Sequence, residues 1–208
     1  MDSLTGAWSK MTFNLLGQTP STFSNGPGNR YMIHLQGCNL GCKGCFNPES
    51  WSFKLKNQVD VFKLAENILE HQPDGLTISG GEPFLQAPAL LKFLQTLNNP
   101  FPKGILIYSG FYENELQKIP EYSQILSLID VVISGRFDQN QRVYNSMLSS
   151  KNQNFIFSEN SKIKNEELNG QNFEIIIENE KIKLTGFPIL NKNIRKDLEE
   201  LGFSIEKK

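Results

Sequence analysis

Three cysteines, Cys38, Cys42 and Cys45, are all the cysteines this chain contains, and all fall in the run Gly37-Cys38-Asn39-Leu40-Gly41-Cys42-Lys43-Gly44-Cys45-Phe46-Asn47-Pro48. Clustered thiols do one of two kinds of chemistry, disulfide exchange or metal binding. An odd number leaves one thiol over in any disulfide framework. Three is also one short of a closed four-ligand zinc or iron–sulfur site. Two readings satisfy the count. In the first, the loop holds three irons of a [4Fe–4S] cluster and leaves the fourth iron open to a ligand from elsewhere, as catalysis requires. In the second, His34 completes a Cys3His zinc site that merely ties down a loop. His34 stands four residues ahead of Cys38 inside the apolar run Tyr31-Met32-Ile33-His34-Leu35, where a histidine is ordinarily a packed strand residue.

Either site needs a scaffold, and the chain reads as strands alternating with helices. Residues 31–36 form the first clear strand, and the cysteine loop leaves from its C-terminal end. Residues 11–16 read as an edge strand and residues 19–30, rich in Pro, Gly, Ser and Asn, as a loop. Residues 59–71 place Val61, Phe62, Leu64, Ala65, Ile68 and Leu69 on one helical face, closed by Gln72-Pro73-Asp74-Gly75. Strands follow at 75–79, 105–108 and 131–133, with helices at 87–97 and at 113–128, the latter interrupted by Pro120. This grammar implies parallel βαβ units. Each strand runs directly into a small residue, Gly37, Gly80, Gly110 or Gly135. In parallel α/β folds ligand chemistry collects at the C-terminal strand ends, so these turns belong to one face.

The length, 208 residues, suits one large domain or a domain with an appendage. Lysine, arginine and acidic residues nearly balance, at a formal net charge of -1, which argues against an electrostatic nucleic-acid binder. Residues 1–10 lack a basic-then-apolar export signal, and no apolar run is long enough to span a bilayer. Reduced cysteines without an export signal point to the cytoplasm. From Phe155 the grammar changes: residues 173–178 and 181–185 read as a β-hairpin about Asn179-Glu180, and 193–201 as a short amphipathic helix. The division expected is a core at 1–154 and a C-terminal appendage at 155–208, which would cover an open sheet edge or contact a partner.

The cysteine spacing after a strand resembles the cluster loop of the radical S-adenosylmethionine (radical SAM) enzymes. Gly26-Pro27-Gly28-Asn29-Arg30 before the strand and Cys45-Phe46-Asn47-Pro48-Glu49-Ser50-Trp51 after the loop are similar to the activating enzymes of anaerobic (class III) ribonucleotide reductase. The superfamily commonly has an aromatic before the third cysteine. Here that residue is Gly44, and Phe46 follows the cysteine instead, as in the activase branch. Gly80-Gly81-Glu82-Pro83 matches the family's GGEP motif. Ser149-Ser150-Lys151-Asn152-Gln153 resembles a Gly-Ser-x-Asn-Gln stretch of activase-like proteins, with Ser149 in the place of glycine and no chemical role to assign.

The resemblance implies an α/β fold, a partial (β/α) barrel of the radical SAM type with parallel strands, carrying the hairpin and helix as an appendage. It implies a [4Fe–4S] cluster on Cys38, Cys42 and Cys45, with S-adenosylmethionine bound by Gly44, Phe46, Gly80, Gly81, Glu82 and Ser109. The glycines would admit the methionine moiety, Glu82 would accept from its ammonium group, Ser109 would bond its carboxylate or the ribose, and Phe46 would pack on adenine. Beyond cluster and cofactor no catalytic side chain is expected; Arg136 reads as solvated and Trp51 as packing. The implied activity is reductive cleavage of S-adenosylmethionine to a 5′-deoxyadenosyl radical, fed by a flavodoxin or ferredoxin, to install a glycyl radical on a large partner such as anaerobic ribonucleotide reductase. Two alternatives stand beside it: the same chemistry on a peptide or small molecule, and a zinc-stabilised module that binds another protein without catalysis.

Overall fold

In β2 (Arg30–Leu35) every second side chain, Tyr31, Ile33 and Leu35, faces a layer of helices. The strands β4 (Gly75–Gly80), β5 (Ile105–Ser109) and β6 (Val131–Ser134) repeat the pattern with Leu76, Ile78, Ile105, Ile107 and Val132. Against them pack Leu64 and Ile68 of α1 (Val61–Glu70), Leu90, Phe93 and Leu94 of α2 (Ala87–Leu97), and Ile125 of α4 (Tyr122–Leu128). Each such side chain contributes roughly 1.5–3 kcal/mol on burial, so this layer is the main core. The alternate residues Leu106, Val131 and Ile133 face the other way and are covered by Met147, Ile163 and Leu168. The computed structural model describes residues 11–170, 173–178, 181–186, 200 and 204–205.

The four strands β2, β4, β5 and β6 are parallel neighbours in that order. Antiparallel strands extend them on both sides: β1 (Thr12–Thr22) and then β3 (Gln58–Asp60) beyond β2, and β7 (Asn154–Phe157) beyond β6. The result is an open, mixed seven-stranded sheet. The edge strand expected at 11–16 is instead eleven residues long and lies between β2 and β3. Gly17 and Pro20 read as breakers, but the register shifts between Leu15 and Gly17 and between Thr19 and Thr22, so both are absorbed in bulges.

Asp60 starts α1 by accepting from the backbone N–H of Phe62 (2.9 Å) and Lys63 (3.1 Å). Asn98 ends α2 in the left-handed conformation, its N–H donating to Leu94. Pro120 divides the helix expected at 113–128 into α3 (Glu113–Leu116) and α4.

The boundary expected between residues 154 and 155 falls inside β7, and Ile163 and Leu168 belong to the second apolar cluster, so the core continues at least through Leu168. The hairpin is present: β8 (Phe173–Glu178) pairs antiparallel with β9 (Lys181–Gly186), which also pairs with β10 (Ser204–Ile205). The Glu174 carboxylate joins it to the end of β1 and the residues that follow, accepting from Phe23 N (2.8 Å), Ser24 Oγ (3.1 Å) and Thr22 Oγ1. Residues 1–10, the turn at 179–180 and, apart from Glu200, the helix expected at 193–201 lie outside the described residues. Among the described residues no helix is long and apolar enough to cross a membrane.

One side chain holds the N-terminal ends of the parallel strands together. Arg30 is fully buried, and its guanidinium donates to Thr77 Oγ1 (2.6 Å) and to the carbonyls of Leu76 (2.6 Å), Lys103 (2.9 Å), Pro27 (3.0 Å) and Gly104 (3.0 Å). All five N–H groups of the fork therefore have acceptors. Burial lowers its pKa to about 10, which leaves it charged at neutral pH.

Candidate cofactor site

At the opposite, C-terminal ends of the same strands the backbone ties two turns into one unit. Gly81 N donates to Leu35 O (2.7 Å) and Glu82 N to Gly37 O (2.9 Å), so the glycine-rich turn continues the β2–β4 ladder into the cysteine loop. A Cβ on Gly80 would come within 2.3 Å of Leu35 N, and one on Gly81 within 2.2 Å of Gly37 O. Gly80 also has φ of +105°. The chain's own backbone thus requires these glycines, where the sequence suggested only approach to a ligand.

The cysteine loop is fixed at its ends and open in its middle. Gly37 N donates to Ser50 O (2.7 Å), Cys38 N to Trp51 O (3.3 Å), and the Gln36 amide to Ser52 O (2.6 Å) and Glu49 O (3.2 Å). Ser50 is fully buried and its hydroxyl donates to Asn47 O (2.6 Å), closing the turn at Asn47-Pro48. Gly41, Lys43 and Gly44 are exposed.

Cys38, Cys42 and Cys45 line one cavity of about 110 Å³ with Phe46, Gly80, Gly81, Glu82 and Ser109. Eight of the nine residues singled out from sequence therefore meet there. Gly44 does not; it turns outward against Gln139. The sequence did not single out Leu40, Tyr108, Phe137 or Gln153 as site residues, and all four line the cavity. Phe137 packs on Phe46 with ring centroids 5.0 Å apart. Phe137 lies two residues past the strand-end Gly135, so the strand-end rule carried the signal that could have found it.

Glu82 is fully buried and already engaged. Oε1 accepts from Ser109 Oγ (2.9 Å) and Phe84 N (3.1 Å), and Oε2 from Gly110 N (2.7 Å). Ser109, expected to meet ligand, instead joins Glu82 to Phe111 N (3.0 Å). Burial pushes the Glu82 carboxyl up to about 7 from 4.5, against the pull of these donors. Between those pH values the folded chain keeps a proton the unfolded chain has released. The resulting stabilisation is full below about pH 4.5 and is lost as pH rises through about 7. In urea titrations, wild type is expected to lose up to about 3 kcal/mol relative to Glu82→Gln between about pH 5 and about pH 8. A difference that does not change with pH would refute this.

Burial also pushes the Cys38 thiol up to about 11 and raises that of Cys42, so metal ligation there must expel protons. Arg136, read from sequence as solvated, is paired: it donates to both Glu115 carboxylate oxygens (2.5 and 2.8 Å) and lies 4.9 Å over the Tyr112 ring. The Ser149–Gln153 stretch has a structural role. Gln153 Oε1 accepts from Ser149 N (2.8 Å) and Ser150 N (3.1 Å), its amide donates to Gly135 O (2.8 Å), and Asn152 donates to Arg136 O (2.7 Å). It latches the loop after β6 to the cavity wall.

Three thiols with no fourth protein sulfur suit a cluster with an open iron. His34, buried in β2, lines a different small cavity from the one the three cysteines share.

A parallel α/β sheet that brings three thiols and a buried carboxylate turn to one set of strand ends defines an iron–sulfur protein with an open cofactor cavity. Residues 24–156 match the family model described as a 4Fe-4S single cluster domain. Over 138 residues, 62% of this chain and 86% of the relative, the sequence is 36% identical to the anaerobic ribonucleoside-triphosphate reductase-activating protein of Haemophilus influenzae. The protein of that name from enterobacteria phage T4 is 28% identical over 127 residues, 58% of this chain and 79% of its own. A pyruvate formate-lyase-activating enzyme from Staphylococcus aureus is 40% identical over 80 residues, 35% of this chain and 32% of its own. The chain belongs to the 4Fe-4S single cluster domain family and is a radical SAM enzyme of the activating type, with a [4Fe–4S] cluster and S-adenosylmethionine as cofactors.

Proposed function

We propose that this enzyme installs a glycyl radical on a separate protein, the anaerobic class III ribonucleotide reductase. The observation that carries the reading is the joining of the cysteine loop to the Gly80-Gly81-Glu82 turn in a chain whose relatives are named for activating that reductase. Cluster and S-adenosylmethionine, once reduced by one electron, supply a 5′-deoxyadenosyl radical that removes a hydrogen atom.

The chain's own residues hold and orient. Cys38, Cys42 and Cys45 ligate the cluster. Glu82, with Oε2 bearing a single donor, accepts as the carboxylate from the cofactor's ammonium group, whose charge would favour loss of the carboxyl proton, while Ser109 and Gly110 fix its rotamer. Phe46, backed by Phe137, offers the adenine an apolar face. The exposed outer side of the cysteine loop, at Gly41, Lys43 and Gly44, is where a flavodoxin- or ferredoxin-type donor approaches. The open sheet is read as a partial (β/α) barrel, which four adjacent parallel strands with helices on one face support. The hairpin β8–β9 covers its other face, a role supported by the Glu174 contacts and by Gly186 beside a small cavity lined by His34, Ser79 and Tyr108.

The test is anaerobic incubation with S-adenosylmethionine, dithionite and the reductase, followed by electron paramagnetic resonance. A glycyl doublet with stoichiometric 5′-deoxyadenosine is expected. Cofactor cleavage without a doublet would move the substrate to another peptide or small molecule.

A further inference from the structure

The β6–β7 ladder ends at the pair Ser134–Asn154. Carried on, its register would set Gly135 against Gln153, Arg136 against Asn152, Phe137 against Lys151 and Asp138 against Ser150. Beyond Ser134, side chains take the place of backbone rungs. Gln153 Nε2 donates to Gly135 O (2.8 Å), Asn152 Nδ2 donates to Arg136 O (2.7 Å), and Ser150 Oγ accepts from Asp138 N (3.1 Å). Backbone groups that leave a ladder still need partners, and these three have them. The Ser-x-Asn-Gln spacing, to which the sequence attached no role, is thus the spacing of this register. Its x position, the exposed Lys151, falls opposite Phe137.

The grip is itself braced. Gln153 Oε1 accepts from Ser149 N (2.8 Å) and Ser150 N (3.1 Å), which uses both of its lone pairs and fixes the amide plane. On the other side, Gly135 N donates to Ser109 O (3.1 Å), and Ser109 Oγ donates to Glu82 Oε1 (2.9 Å). Phe137 lies in the middle of the gripped segment, between the held backbone of Arg136 and of Asp138. Its ring meets Phe46 in the wall of the cofactor cavity, with centroids 5.0 Å apart. A side chain carried on a loop is only as well placed as the backbone beneath it.

We propose that Ser150, Asn152 and Gln153 are positioning residues for S-adenosylmethionine: they hold the backbone on both sides of Phe137 and so keep its ring behind Phe46, the face that takes the adenine. This rests on the reading of Phe46 as the adenine platform. A wall ordered before the cofactor arrives spares binding the cost of ordering it. The cysteine loop is held separately, by Gln36 and Ser50, so iron binding does not follow the grip.

The experiment uses the full chain and the variants Gln153→Glu, Asn152→Ala, Phe46→Ala, Phe137→Ala and the double Gln153→Glu/Phe137→Ala. Gln153→Glu keeps an acceptor for Ser149 N and Ser150 N but removes the donor to Gly135 O. Three quantities are read: hydrogen exchange of the 135–141 segment in metal-free protein, iron content after reconstitution, and affinity of the reconstituted protein for S-adenosylhomocysteine, which carries the adenine but lacks the sulfonium. Gln153→Glu and Asn152→Ala are each expected to speed exchange in 135–141 and to weaken S-adenosylhomocysteine about tenfold, with iron unchanged. With Phe137→Ala already present, Gln153→Glu should add less than about twofold, because the ring it acts through is gone. Asn152→Ala reads the same grip even if Gln153→Glu does not fold. Faster exchange with unchanged affinity would make the stretch merely structural and overturn the proposal, as would loss of iron or a full tenfold effect in the Phe137→Ala background. If Phe46→Ala weakens binding and the grip variants do not, the proposal alone fails. If Phe46→Ala leaves affinity unchanged, the platform reading falls and takes the proposal with it.

Discussion

Cys42→Ala protein, reconstituted anaerobically with iron and sulfide, is expected to hold no [4Fe–4S] absorbance and to form no 5′-deoxyadenosine above background. Two thiols cannot replace three around a cluster that already leaves one iron to its ligand. The loop offers no substitute, since no other cysteine exists and His34 lines a different cavity from the thiols. The fold, by contrast, should survive. Cys42 lies in the partly exposed middle of the loop, while the loop's ends are held by Gln36, Ser50 and the backbone of Gly37 and Cys38. Circular dichroism and the metal-free melting temperature should therefore match wild type. A variant that keeps its iron and its turnover would sink the assignment of all three ligands.

Arg30→Met is expected to have the largest effect on stability while leaving the cavity's residues untouched. Methionine fills much of the same volume but donates nothing, and four carbonyls and the Thr77 hydroxyl lose their buried donor. Loss of such a network costs about 3–5 kcal/mol, or roughly 10 °C in melting temperature for a chain of this size. Arg30→Lys should recover only part, because three donors on a point charge cannot span five acceptors. Thermal unfolding of the metal-free protein measures both. A fall of less than about 3 °C for the methionine variant would mean that water satisfies the carbonyls instead.

The parts of the molecule that could be read from sequence are those where one segment suffices. Residues 30–35 are all buried, and a parallel strand covered on both faces reads as an unbroken apolar run. The four strand-end glycines marked the functional face without knowledge of pairing. Of the flanking antiparallel strands, β3 and β7 were missed because their identity comes from their neighbours. Gln58-Val59-Asp60 is strand only against Phe13 and its neighbours, and Asn154–Phe157 only against β6. The same holds at the site. The types of Gly80 and Gly81 were evident, but the clash with Leu35 and Gly37 that demands them was not. Arg136 meets Glu115 only because the loop after β6 reaches α3, and the five acceptors of Arg30 are spread over three segments of chain.

The large sheet ends on strands of three and four residues, β3 and β7. Unpaired edges are where copies of a protein zip together, and so few rungs give a second chain little to grip. A molecule stripped of its iron by oxygen keeps those short borders, because neither belongs to the cysteine loop. Such protein should stay dispersed at concentrations where longer borders would seed fibres, ready to be refilled once reducing conditions return.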